Sequence, residues 1–339
     1  MMEPAPLGRR WHELFPGHPV AWLFVAALLV AVMIAKPRQA PQPAESSEVA
    51  SPAPVVVEPA LSDAERARQY GWLPRAAAKS FVPLADRLAP PPGFVRVRVE
   101  RNSFADWLRH LPVKPAGTPV VSGGRKVVMP GTAAQLAAVV DLQPGNSNLL
   151  NAANIVLRLR AEYLWGSGAW RSANFRFTNG QFFPFARWDS GQRPIVSGRS
   201  VDWARATKAD DPRVSYAGYM ETLFRYSSVY SLIADTVPVR DDSIQPGDLF
   251  AVPGRPGHVV LVLDAATNSA GGVCVLLGQG GTPAQTFHVV RSQPGVDWYE
   301  LRAGSALAVP GYGTMSMKHL RRWPAEAGAA SDSTAGGEP

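Results

Sequence analysis

The sequence predicts an α+β fold, and three observations carry that expectation. Residues 149–165 and 215–234 repeat apolar side chains at helical spacing. Residues 257–263 and 273–278 are short apolar runs joined by a polar turn at 267–272, the pattern of two paired strands. The helical patterns come first and the strand patterns cluster late, without the alternation of a repeating βαβ fold and without an internal repeat. With 339 residues and 46% hydrophobic content the chain can bury a substantial core.

Taken in order, residues 14–35 contain no Asp, Glu, Lys or Arg, and residues 20–35 are apolar throughout. A helix of about 20 apolar residues spans a bilayer. The expectation is a single-pass, retained transmembrane anchor at 19–35, following a cytoplasmic segment at 1–18. It would sit in the cytoplasmic or inner membrane with the C-terminal bulk extracytoplasmic, periplasmic in a two-membrane envelope. Residues 36–60 are rich in Pro and Ala and read as an extended linker. A helical lead-in at 61–89 holds one helix beginning at Ser62-Asp63, with Glu65 in its first turn. The globular domain spans 90–323, and 324–339 is a small, polar tail expected to be disordered.

Within the domain, alternation predicts a strand at 94–99 and Ser103 caps a helix at 104–111. Residues 136–142 read as a strand. The helix at 149–165 follows a loop whose cap is Ser147 or Asn148. Residues 174–178 form a strand that stops at the Asn179-Gly180 turn, and 287–290 forms a late one.

Lys and Arg number 34 against 27 Asp and Glu, a net charge of +7 that favours anionic surfaces. Basic residues never run beyond pairs, so nucleic acid is not an expected partner. The single cysteine, Cys274, excludes an intrachain disulfide and a multi-cysteine metal site. The six histidines are scattered without metal-ligand spacing, so neither metal nor cofactor is expected. Cys274 lies in an apolar strand and reads as a buried structural thiol. Ser147 reads as a cap rather than a nucleophile. Trp165, Trp170, Trp188 and Trp203 lie in or beside loops, where they either pack or stack on sugar rings.

The most informative stretch is Pro246-Gly247-Asp248 followed by Gly257-His258, where the histidine opens the apolar run 259–263. NlpC-type papain-like cell-wall hydrolases place their catalytic base in this way, and the likeness implies a papain-like core with a small antiparallel sheet packed on helices. Further residues extend the resemblance. Arg158-Leu159-Arg160-Ala161-Glu162-Tyr163-Leu164, Phe175-Arg176-Phe177-Thr178-Asn179-Gly180, and Trp188 with Gly191 and Arg193-Pro194 resemble the bacterial family called domain of unknown function 4846. So do Asp264 with Asn268, Pro283-Ala284-Gln285 with His288, and Trp298-Tyr299. The resemblance covers 91–301. Members of that family carry a cysteine just ahead of the Arg-Leu-Arg-Ala-Glu-Tyr segment, and here that position is Ala152.

The resemblance implies that His258 is the remnant base and that Ala152 marks the missing nucleophile. Gln279 ends the second strand of the pair, where antiparallel pairing puts it beside His258 as the residue expected to orient the imidazole. Asp248, Gly257, Arg160, Glu162, Gln285 and His288 are further site candidates. Asp264 lies six residues along the strand from His258, about 20 Å at ~3.3 Å per residue, and is too distant to orient it. The expectation is a degenerate Cys-His hydrolase that binds a cell-wall peptide, glycan or envelope protein in the old cleft beside Ala152, His258 and Gln279. An active amidase or peptidase with another nucleophile, and a purely structural envelope protein, are the alternatives.

Overall fold

Ser62 sets the first helix. In the computed structural model, described for residues 61–324 except 146, 241, 242, 303 and 305, all within the unit Pro59–Pro339, α1 spans Asp63–Gln69. The Ser62 hydroxyl accepts the Glu65 N–H while the Glu65 carboxylate accepts the Ser62 N–H, a reciprocal cap that satisfies two otherwise orphaned donors. The single helix expected over 61–89 is in fact three. Pro74 precedes α2 (Arg75–Ser80) and Pro83 precedes α3 (Leu84–Arg87), because proline offers no N–H and bars its predecessor from helical backbone. Ser103 caps α4 (Phe104–Arg109) as predicted.

The coarse class stands, a mixed fold with antiparallel sheets, but the main sheet is not small. Its nine strands are β1 (Phe94–Arg96), β2 (Leu136–Val139), β3 (Val237–Pro238), β4 (Leu249–Val252), β5 (His258–Asn268), β6 (Val273–Gln279), β7 (His288–Val290), β8 (Tyr299–Leu301) and β9 (Leu320–Arg322). They run in the order β3-β9-β4-β5-β6-β7-β2, with β1 paired to the last three residues of β5 and β8 to the first three of β6. The unbroken apolar run of β5 follows from its central place, since both faces are covered. Val259, Leu261 and Leu263 pack into the cluster that holds α5 (Ala152–Gly166), whereas Val260 and Val262 pack beneath Leu307, Val309 and Met315 of the hairpin that follows β8. An irregularity between Val262 and Asp264 shifts the β5–β6 register, and the strand runs beyond its predicted end.

Helix α5 begins later than its sequence pattern suggests. Asn151, not Ser147 or Asn148, is the cap, with its side chain accepting the Ala153 and Asn154 N–H groups. Asn148 instead accepts the Ala284 N–H at 2.6 Å and ties the preceding loop to the β6–β7 connection. Ala152 thereby becomes the first residue of the helix. After the short α6 (Phe185–Asp189), the single helix expected over 215–234 is divided into α7 (Pro212–Tyr226) and α8 (Val229–Asp235), because Ser228 adopts extended backbone and caps a new start. The four tryptophans pack. Trp165 contacts Trp170 and Tyr216, Trp188 contacts Phe183 and Tyr219, and Trp203 stacks on Phe183.

Among the described residues no helix is long and apolar enough to cross a membrane. The segments assigned to a cytoplasmic start, an anchor and a linker at 1–60, and the tail from 325, lie outside the described residues.

One carboxylate ties the N-terminal layer to the sheet. Asp264 on β5 is 1% exposed. It accepts hydrogen bonds from Arg96 Nε on β1 at 2.7 Å and from Arg109 Nε and Nη2 on α4 at 3.0 and 2.8 Å. Removing one partner of a buried ionic network strands the others without water. Asp264→Ala is therefore expected to cost about 3–5 kcal/mol in urea unfolding. A loss near zero would show that the arginines re-solvate freely and that this contact does not organise the layer.

Candidate functional site

His258 is the first residue of β5, placed by the Val252↔His258 pairing with β4. Gly257 before it lies against Val229 of α8, and the backbone there has no room for a side chain. Gln279 lies opposite Val260 and His288 lies opposite Gln279, so the three side chains share one face of β5, β6 and β7. Gln279 Nε2 donates to the Pro310 carbonyl at 3.2 Å and lies 3.5 Å from His288 Nε2. His288 Nδ1 lies 3.0 Å from the Thr286 carbonyl, which selects the tautomer with a proton on Nδ1 and an acceptor at Nε2.

His258 has a different surrounding. Its ring is 7% exposed and is stacked flat on Tyr312, with only 9° between the planes. Neither ring nitrogen has a hydrogen-bond partner among the described residues, and the same holds for Gln279 Oε1. Burial is the main reason that the imidazole pKa falls to about 3. The Gln279 carboxamide opposes that shift and the neighbouring His288 adds to it, but Gln279 is not aligned to make a well-formed hydrogen bond. The buried His288 falls similarly, to about 4. Both rings are neutral near pH 7. A Cys-His dyad requires the opposite, an imidazole basic enough to hold the proton released by a thiol.

Ala152 packs on the helix-bearing face. A side chain added at Gly280, the residue after Gln279, would stand 3.6 Å from Ala152 Cα and only 2.6 Å from Ile155 Cγ2. Glycine is required here for the start of α5 to approach the end of β6. The pleat directs His258 and Gln279 to the opposite face, toward Tyr312. The two faces meet at Gly280, whose carbonyl accepts from Gln285 Nε2 at 3.2 Å and from the Tyr312 hydroxyl at 3.4 Å. The open cleft expected between Ala152, His258 and Gln279 is therefore filled, with Ala152 1% and Gln279 2% exposed.

The remaining candidates divide among other tasks. Asp248 holds its own turn by accepting the Gln245 N–H at 2.9 Å and holds β9 through Arg322 at 2.6 and 2.8 Å. Gly247 reaches φ +97° in that turn and packs close to Phe104. Glu162 is paired with Arg213 at 2.8 Å and Arg158 at 3.7 Å, linking α5 to α7. Arg160 lies on another side of α5, over Phe104, Tyr163 and Trp323. Cys274 is buried on β6 opposite Ala266, and burial pushes its thiol up to about 11, which is unsuited to nucleophilic attack. Ser147 is exposed in the loop ahead of α5. Among the described residues no group of three or more His, Cys, Asp and Glu is placed to hold a metal. The residue the sequence did not disclose is Tyr312. It sits in a Gly-Tyr-Gly turn far downstream, where no periodicity or spacing relates it to His258.

Residues 84–322 match the model of a protein family described as Domain of unknown function (4846). No curated protein and no solved structure matches the chain.

The two buried rings make acid stability a direct test. The unfolded chain takes up protons below pH 6.5, whereas the folded His258 and His288 resist to about 3 and 4. Their contribution is complete above 6.5 and is lost as pH falls. Asp235, raised by burial to about 6, and Asp248, raised for the same reason, run the other way, while His319, lowered by burial, adds to the two histidines. The melting temperature is expected to fall between pH 6.5 and 4, and His258→Gln is expected to reduce that fall. A flat profile, or an equal fall in the variant, would contradict the assignment.

Proposed function

The chain belongs to the family Domain of unknown function (4846), and from that footing we propose that it is a membrane-anchored, extracytoplasmic binding domain that retains a papain-like framework without its hydrolytic chemistry. The observation that carries this reading is an alanine at the start of α5 together with a neutral His258 on the other face of the sheet. Alanine occupies the helix start where the helix dipole and free N–H groups would stabilise a thiolate, and it has no atom able to attack a carbonyl. The histidine at the position of the base is buried beneath Tyr312. Two imidazole nitrogens without partners cost on the order of 1–3 kcal/mol each, a burden that a core built only for stability would avoid with an apolar residue. This pattern fits a site inherited from a reactive ancestor. The apolar run at 20–35 supplies the anchor in this reading, and the positive net charge suits an acidic cell-wall polymer or an envelope protein as partner.

A second reading, a structural envelope protein, draws on the same Tyr312 stack, because a sealed imidazole accepts no ligand. An amidase using Cys274 draws no support from a buried thiol pushed up to about 11.

The test is turnover. Full-length chain in detergent, incubated with purified peptidoglycan and with its stem peptides, is expected to release no amine or reducing end above the buffer control. Cleavage that disappears on His258→Ala would overturn the reading and restore the hydrolase.

A further inference from the structure

Arg125 holds a backbone conformation that its side chain does not favour. It lies in the turn of a hairpin made by Val120–Val121 and Val127–Met129. Its N–H closes the turn on the Ser122 carbonyl at 2.8 Å, and its φ is +62°. Left-handed backbone crowds any Cβ, and glycine is the favoured residue at such a position in a hairpin turn. Two glycines stand directly before it, Gly123 and Gly124, yet the left-handed residue is the arginine. The other described residue with positive φ that is not glycine is Asn102, a residue type that tolerates it. Strain kept in an exposed turn points to a use for the side chain.

That side chain lines a pocket of about 200 Å³ with Ser122, Gly123, Gln143 and Gly145. The pocket lies between the hairpin turn and the loop that leads to α5. The two approach closely because residue 123 is glycine: a side chain there would stand 3.0 Å from the Ser147 carbonyl oxygen and 3.2 Å from that of Gly145. The Gly123 N–H donates to the Ala284 carbonyl at 3.0 Å and ties the turn to the β6–β7 connection. Arg125 is exposed, and its guanidinium has no acceptor, ion-pair partner or ring beneath it among the described residues. No carboxylate lines the pocket. Residues 107–161 contain a single acidic residue, Asp141, and Lys114 holds it at 3.4 Å. Arg158, which reaches the Gln143 carbonyl from α5, is already committed to Glu162.

We propose that this pocket binds one small oxyanion, a carboxylate or phosphate group, through the Arg125 guanidinium. The fork of N–H donors matches the paired oxygens of either group. Ser122 Oγ accepts the Lys126 N–H at 3.2 Å, which leaves its own O–H to donate, and the exposed Gln143 carboxamide adds neutral donors at the opposite wall. The volume is below the range of about 300–1,000 Å³ that takes a whole drug-sized ligand. It suits the charged end of a molecule whose remainder stays in solvent. The site stands apart from the filled space around Ala152 and His258, and it holds whether or not the chain hydrolyses anything, so its failure leaves the function proposed above untouched.

The test is calorimetry on the full-length chain in detergent at low salt, with N-acetylalanine, the neutral N-acetylalaninamide and inorganic phosphate as probes. N-acetylalanine is expected to bind at least about tenfold more tightly than the amide, the worth of one charge-assisted contact. Tighter binding of phosphate than of N-acetylalanine would identify the oxyanion as phosphate and also support the site. Arg125→Gly separates a binding role from a structural one, because glycine accepts the left-handed backbone. It is expected to weaken the preferred anion at least about tenfold while the melting temperature does not fall. Lys126→Ser removes the neighbouring charge and is expected to change the affinity by no more than about threefold, since an exposed charge outside the pocket is screened. Equal affinity for the acid and the amide, no binding of either anion, or binding that survives Arg125→Gly would overturn the proposal. So would a lowered melting temperature in Arg125→Gly, which would mean that the arginine is kept for the fold, or a loss in Lys126→Ser equal to that in Arg125→Gly.

Discussion

Asp264 is the point on which the two sides of the domain depend. It lies in the central strand, and the residues it holds are distant in sequence, 168 positions away at Arg96 and 155 at Arg109. Through Arg96 it fixes β1 and through Arg109 it fixes α4. These two elements flank the segment 97–103, so the placement of Arg98 and Arg101 follows from one buried ionic cluster. The desolvation cost of the carboxylate is offset because both oxygens are taken up by charged donors. The apolar residues of α5 and β5 supply most of the burial, but they are directionless. The ionic cluster sets the register of the N-terminal layer against the sheet.

The same strand explains why the imidazole is neutral. β5 is covered on both faces, by α5 on one side and by the hairpin carrying Tyr312 on the other. A strand in that position alternates its side chains between two dry compartments. Ala152 lies on the helix side and His258 points to the hairpin side, where burial decides its charge. In a Cys-His enzyme the imidazole must reach both solvent and the helix start. Here Gly280 brings the helix against the strand end, Tyr312 closes the other face, and the imidazole is left neutral between them.

Local signals in the sequence were reliable where the physics is local. The Ser62 capping box, the Ser103 cap and the paired strands around 257–278 are written in adjacent residues, and the structure follows them. The placement of Gln279 on the strand beside His258 was legible for the same reason, since a hairpin relates its strands simply. Boundaries failed where another part of the chain competed. Asn148 was a plausible cap until Ala284 claimed its side chain, and Ser228 broke a periodic run because its hydroxyl favoured a new helix start. The Tyr312 stack, the Asp264 cluster and the cage around Arg160 were not legible. Each joins residues with no shared spacing, and only the folded sheet brings them together.

The central claim is that His258 has been withdrawn from base chemistry, and its protonation state can be read directly. Selective ¹⁵N labelling of histidine and NMR across pH 4–8, with His258→Gln used to assign the signal, follows the ring nitrogens of His258. The account predicts a neutral imidazole that does not titrate in this range, consistent with a pKa of about 3. A midpoint near the ordinary 6.5 would mean that the ring meets solvent and remains available as a base, which would contradict the account.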